Sequence, residues 1–213
     1  MAEIIKNFQN IKSSLSNSNV NIIAVSKTFN LDKIKPLIDF GHNHFGENKV
    51  QEAKGKWLNI RQNNPNLQLH MLGKLQTNKA KDAVQLFDYV HSIDNEKLAN
   101  AIAKYENLLG KKNKYFIQVN IGNENQKSGI PISQLSDFYL FCKKISLNVI
   151  GLMCIPPKNK NSKKYFIDLF KLNKSLKLDQ ISMGMSADYL DAIECGSTFI
   201  RIGSAIFGDR VTK

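Results

Sequence analysis

Four groups of residues could do chemistry together. The first is Lys27, which closes the run N21-I-I-A-V-S-K27. Asn21 to Ser26 is dense in β-branched residues and free of charge, the pattern of a buried strand. An ammonium just past such a strand is either turned to solvent or held in a pocket. The second is the run S182-M-G-M-S186, and the third is R201-I-G-S204. Both combine Gly with Ser, so backbone N–H groups and hydroxyls can converge on an anion such as a phosphate. Each alone could also be an ordinary turn with an N-cap serine. The fourth is Arg201. With Gly203 at the strand end, alternation puts Arg201 on the same face. Its guanidinium cannot shed a proton and needs acceptors. Those acceptors would be a strand-end acid such as Glu47, or a ring nitrogen or carboxylate of a ligand.

A lysine and a phosphate cradle facing each other suit a phosphorylated carbonyl compound held as a Schiff base. Pyridoxal 5′-phosphate and a sugar-phosphate aldolase substrate both fit, and Arg201 favours the pyridine ring. Further polar residues surround these groups. Glu47 and Asn48 follow a short strand, with Asn48 a candidate N-cap. Gln76, Asn78 and Lys79 cluster after Gly73. His70 reads as an interior histidine, and Met153 and Cys154 as packing residues.

The elements that would position these groups alternate regularly. Expected strands are 20–26, 44–47, 67–73, 88–93, 114–121, 149–155, 180–184 and 198–203. Expected helices fill the intervals at 31–40, 48–60, 77–87, 95–109, 131–145, 161–176 and 186–194, with a short closing helix at 204–208. A further helix at 2–16 leads the chain, and S16-N-S-N19 reads as a turn. Eight strand–helix units in 213 residues imply a small (β/α)8 TIM barrel with an extra N-terminal helix, a single domain over 1–213. Doubly wound open sheets usually close out with fewer strands, and barrels carry their reactive groups at the C-terminal strand ends. K158-N-K-N-S-K-K164 is the expected solvated loop.

Composition narrows the function classes. The 30 Lys+Arg against 18 Asp+Glu give +12, which attracts anions and non-specific nucleic acid. The basic groups are dispersed, and no aromatic–basic nucleic-acid module is present, so no specific nucleic-acid partner is expected. Cysteines at 142, 154 and 195 show no metal spacing and fit a reducing cytoplasm. No histidine cluster or paired acids stand at metal spacing, and no nucleotide-binding glycine loop occurs. No signal peptide is expected from the starting run M1-A-E-I-I-K6, no run of ~20 apolar residues occurs, and no membrane partner is expected.

The motifs also carry a resemblance. A24-V-S-K27, F45-G-E-N48, H70-M-L-G73, L75-Q-T-N-K79, V90-H-S-I93, V119-N-I121, K127-S-G129, G151-L-M153, S182-M-G-M-S186 with Asp188, and R201-I-G-S-A-I-F-G208 span the chain. Together they resemble the pyridoxal phosphate homeostasis proteins, the YggS/PROSC family. The resemblance implies a barrel like the N-terminal domain of alanine racemase without its second domain. It implies that Lys27 holds pyridoxal 5′-phosphate as a Schiff base and that Arg201 faces the pyridine nitrogen. Ser182, Gly203 and Ser204 would hold the phosphate, and Asn48 would lie near the cofactor. It also implies a cytoplasmic monomer that balances vitamin B6 and amino-acid metabolism, with transient contact with pyridoxal phosphate enzymes, no metal and no robust catalysis. An arginine opposite the ring nitrogen disfavours the protonated ring and so weakens the electron sink. Other classes that fit are an amino-acid racemase, a Schiff-base aldolase and a basic RNA- or protein-binding module. Lys49, Lys74 and Cys154 depart from the family's usual residues, and Ser204 keeps the hydroxyl of a usual Thr.

Overall fold

A computed structural model describes residues 3–15, 19–124, 126–158 and 161–209. The strands are β1 (Asn21–Val25), β2 (His44–Glu47), β3 (Gln68–Met71), β4 (Tyr89–Ile93), β5 (Lys114–Gln118), β6 (Val149–Met153), β7 (Gln180–Met185) and β8 (Phe199–Ile202). Each pairs in parallel with the next, and β8 pairs with β1, so the sheet closes into a barrel. Around it run α1 (Glu3–Ser14), α2 (Leu31–Asp39), α3 (Val50–Asn63), α4 (Ala80–Leu86), α5 (Glu96–Leu109), α6 (Leu135–Lys144), α7 (Ser162–Ser175), α8 (Tyr189–Glu194) and α9 (Ser204–Phe207). The leading helix α1 packs on α9, where Asn7 donates to the Ile206 carbonyl at 3.2 Å. No helix among the described residues is long and apolar enough to cross a membrane.

Strand alternation divides the core in two. On β8, Ile200 and Ile202 face the helices, while Phe199 and Arg201 face the barrel axis. The outer layer includes Phe45, Trp57, Tyr115 and Phe166, all fully buried between sheet and helices. The inner apolar cluster is small: Ile23, Tyr89, Phe116, Met153 and Phe199. His70 stacks on Tyr89 with ring centroids 4.3 Å apart, and His91 stacks on Phe116 at 4.3 Å. The barrel axis is therefore filled by aromatic rings and histidines stacked on one another.

The eight-strand barrel follows the expected order, and three boundary differences bear on the site. The expected helix at 48–60 starts later, and Lys49 rather than Asn48 holds its N-cap position. The expected helix at 186–194 starts at Tyr189, because the Asp188 carboxylate accepts from Met185 N at 2.7 Å and holds Ser186–Asp188 as a turn. The expected helix at 77–87 opens with a 3-10 turn, Thr77–Lys79, before α4. The turn expected at 16–19 and the solvated loop at 158–164 fall in part on residues outside the described set.

Candidate functional site

Lys27, Arg201, Gly203, Ser204 and Asn48 meet at the C-terminal end of the barrel. They line one cavity of about 320 Å³, together with Val25, Leu72, Ile155, Met185, Ser186 and Ala187. Small-molecule sites usually lie in this size range and at this end of such barrels. Five of the six residues singled out in the sequence are therefore brought together. Ser182 lies elsewhere. It is fully buried three residues before the end of β7, and its hydroxyl faces Arg201 and His91. The strand end contributes Ser186 instead. Its Oγ accepts from Ala205 N at 3.4 Å, so it joins the two Gly-Ser runs across the mouth.

Lys27 owes its place to the alternation of β1. Ile23 lies in the inner cluster, Val25 lines the cavity, and Lys27 continues the same face. The backbone around it is held from the side. Glu47, at the end of β2, is fully buried. Its Oε1 accepts from Ser26 Oγ at 2.7 Å, Lys56 Nζ at 2.9 Å and Trp57 Nε1 at 3.0 Å. Lys56 also donates to the Ser26 carbonyl at 2.9 Å. Thr28, directly after Lys27, has φ 68, an unfavourable region for a β-branched residue. Its N–H donates to Glu52 Oε1 from α3. The Glu47–Lys56–Glu52 network thus clamps the residues on both sides of Lys27, one of them in a strained conformation.

Glu47 does not pair with Arg201, the acid partner that the sequence allowed. Arg201 is 6% exposed. Its Nη1 donates to Ser182 Oγ at 2.7 Å and its Nη2 to the Cys154 carbonyl at 2.8 Å. Among the described residues, no carboxylate lies within ion-pair distance, and two of the five guanidinium donors are used. Burial lowers its pKa from the ordinary arginine range. A buried cation with unused donors beside a cavity is suited to a ligand that brings an acceptor. Cys154 contributes its carbonyl, while burial pushes its thiol up to about 12.

Asn48 reaches the cavity because Gly73 lets it. A Cβ at Gly73 would come within 2.3 Å of the Asn48 carbonyl oxygen, so only glycine permits this close approach of β2 and β3 ends. Two further cavities, about 330 and 360 Å³, open from the same residue. Lys49, Gln76 and Lys79 line one of them, Gln118, Asn120 and Lys127 line the other, and Lys74 lines both. The mouth is therefore strongly basic.

Comparison with known proteins agrees with this geometry. The alanine racemase N-terminal domain family matches residues 1–211. The pyridoxal phosphate homeostasis protein of Vibrio cholerae is 38% identical over 210 residues, covering 93% of this chain and 89% of its own. The chain belongs to this family. The Escherichia coli homeostasis protein is 34% identical, covering 90% of this chain and 86% of its own. Among solved structures, PipY of Synechococcus elongatus, determined with PLP bound, superposes with TM-score 0.89 at 32% identity. The match covers 96% of this chain and all of PipY. Alanine racemase from Clostridium difficile shares the fold at TM-score 0.80 and 15% identity; the chain covers 58% of its length.

Within the run S182-M-G-M-S186 the sequence reading singled out Ser182 rather than Ser186, and it missed Leu72, Ile155 and Met185 as lining residues. His70 is interior, as expected, but the sequence reading missed that the histidines meet. None shows metal spacing in sequence, yet His44, His70 and His91 adjoin one another inside the barrel. They do not form a metal-holding group among the described residues.

Proposed function

We propose that this chain is a pyridoxal 5′-phosphate-binding protein of vitamin B6 homeostasis, and that the cavity at the barrel mouth is its cofactor site. The observation that carries the reading is one cavity lined by Lys27, a buried Arg201 and Ser204, in a chain 32% identical to a protein solved with PLP bound. Lys27 would supply the amine that takes the cofactor's aldehyde. Arg201 would donate to the ring nitrogen, and Ser204, Ser186 and the Gly203 backbone would hold the phosphate. Ser182 would act through Arg201, and Asn48 would close the side of the cavity. When bound, pyridoxal phosphate offers a reversible electrophile and a ring that can accept electrons.

The lining of the site disfavours robust catalysis. A racemase needs an acid or base on each side of the substrate carbon. Lys27 can serve one side; no His, Tyr, Cys, Asp or Glu lines the cavity among the described residues. A guanidinium opposite the ring nitrogen also opposes a second positive charge there. The reading is therefore a holder and carrier that limits free aldehyde. The whole chain would act as one domain, as a cytoplasmic monomer that meets apo-enzymes transiently.

Borohydride treatment of the protein loaded with pyridoxal 5′-phosphate should fix a phosphopyridoxyl group on the peptide containing Ser26, Lys27 and Thr28. A label mainly on Lys49, Lys74 or Lys79 would refute the site. Rapid entry of solvent deuterium at the α-carbon of added amino acids would refute the carrier reading.

A further inference from the structure

The chain contains four histidines, His42, His44, His70 and His91, and three of them are linked end to end. His44 Nδ1 lies 2.9 Å from His70 Nε2, His70 Nδ1 lies 3.0 Å from His91 Nε2, and His91 Nδ1 lies 2.9 Å from Ser182 Oγ. Arg201 Nη1 reaches the same serine oxygen at 2.7 Å. His44 begins β2 and is half-buried; His70, His91 and Ser182 are fully buried. The contacts run from the N-terminal end of the barrel to the cavity at its mouth.

The direction of the protons follows from the chemistry of the two ends. A guanidinium only donates, so Ser182 Oγ accepts from Arg201. The serine hydrogen then needs an acceptor of its own. Among the described residues, Arg201 and His91 are the groups bonded to that oxygen, so the acceptor is His91 Nδ1. A neutral imidazole with bare Nδ1 carries its hydrogen on Nε2. His91 therefore donates to His70 Nδ1, and His70 donates from its Nε2 to His44 Nδ1. The reverse arrangement sets His91 Nδ1–H against Ser182 and leaves a buried hydroxyl hydrogen without an acceptor, which is costly. The neutral state this requires is the one the surroundings favour. Burial and then Arg201 hold His91 well below the ordinary histidine range; burial and then the neighbouring His91 and His44 do so for His70.

We propose that His44, His70, His91 and Ser182 form a one-way hydrogen-bond chain that positions Arg201, with His91 as the positioning residue that sets its direction. Every link then points its acceptor end at the guanidinium. Four aligned dipoles steady a buried cation that has no carboxylate partner among the described residues. A carboxylate in that place would neutralise the arginine, whereas neutral dipoles leave its charge directed at the ligand. The consequence for the ligand rests on the reading of Arg201 as the donor to the ring nitrogen; the proton arrangement itself does not.

The test has two arms that separate these claims. Nitrogen-15 NMR of histidine-labelled protein without cofactor, near neutral pH, should show His70 and His91 as neutral Nε2–H tautomers. An Nδ1–H tautomer or an imidazolium at either residue would overturn the chain. In the second arm, pyridoxal 5′-phosphate is titrated into wild type, His91→Phe and His91→Gln. His91→Phe should weaken binding about ten-fold, the scale of one lost hydrogen bond, and should move the nitrogen-15 signal of the bound ring. His91→Gln supplies an oxygen for Ser182 and an N–H for His70, so it should restore both. Wild-type affinity and ring signal in His91→Phe, or no restoration in His91→Gln, would overturn the positioning role. If His91→Phe does not fold, Ser182→Ala removes a single oxygen and must show the same loss and shift. A wild type that does not bind the cofactor would refute the functional reading, while the tautomers would still judge the chain.

Discussion

Lowering the pH from 6 to 5 should destabilise this barrel severely, and the histidines are the cause. His70 and His91 are fully buried, and burial holds both pKa values well below 6.5. His42, packed against Phe8 with ring centroids 4.6 Å apart, is pushed down to about 4, chiefly by burial. In the unfolded chain all three titrate near 6.5. Between pH 6.5 and the lowered folded values, the unfolded state binds protons that the folded state does not. Stability is therefore fully present above pH 6.5 and falls as the pH falls. One proton difference corresponds to about 1.4 kcal/mol per pH unit, so three give roughly 4 kcal/mol between pH 6 and 5. That is a large share of the 5–15 kcal/mol that usually holds a domain together. Urea unfolding followed by circular dichroism at pH 7, 6 and 5 measures it. With an m-value of about 3 kcal/mol/M, the midpoint should drop by more than 1 M from pH 6 to 5. Most carboxylates titrate lower, so they add little in this window. A midpoint that moves by less than about 0.3 M would show that these histidines are not held neutral, and would refute the reasoning.

Three further outcomes are expected. Lys56→Met leaves fully buried Glu47 without its cation and should cost about 3–5 kcal/mol of unfolding free energy; unchanged urea stability would dismiss the clamp beside Lys27. Gly73→Ala drives a Cβ to 2.3 Å from the Asn48 carbonyl, so it should destabilise the barrel by about 1–3 kcal/mol and weaken pyridoxal 5′-phosphate binding by calorimetry. Ser204→Ala should lower affinity for pyridoxal 5′-phosphate by about 1.5–3 kcal/mol and barely alter affinity for pyridoxal; an equal effect on the two aldehydes would misplace the phosphate.

What could be read from the sequence is what local periodicity encodes. Arg201 was placed correctly inside the barrel because a strand alternates with period two, and Phe199 and Arg201 share the phase. Lys27 was singled out because its strand ends in a charge. Other features depended on contacts between distant segments. Asn48 looked like an N-cap, but the missing side chain at Gly73 draws its backbone to β3 and leaves the cap position to Lys49. The expected strand ends at 184, and the resemblance gives Ser182 the phosphate. Instead Gly184 adopts φ 91, and β7 runs on to Met185 across a register shift against β8. That extra length withdraws Ser182 from the mouth and presents Ser186 there. The histidines illustrate a signal that was present but not in the form sought. Metal spacing within one segment is the wrong pattern, since His44, His70 and His91 stand on three successive strands. The useful pattern is an inward-facing histidine on each of three consecutive strands, ending beside an inward-facing serine and arginine. In a closed parallel barrel, neighbours in strand order are neighbours in space. Such a recurrence in phase predicts a hydrogen-bonded ladder across the axis, and an arginine at one end fixes which way its protons point.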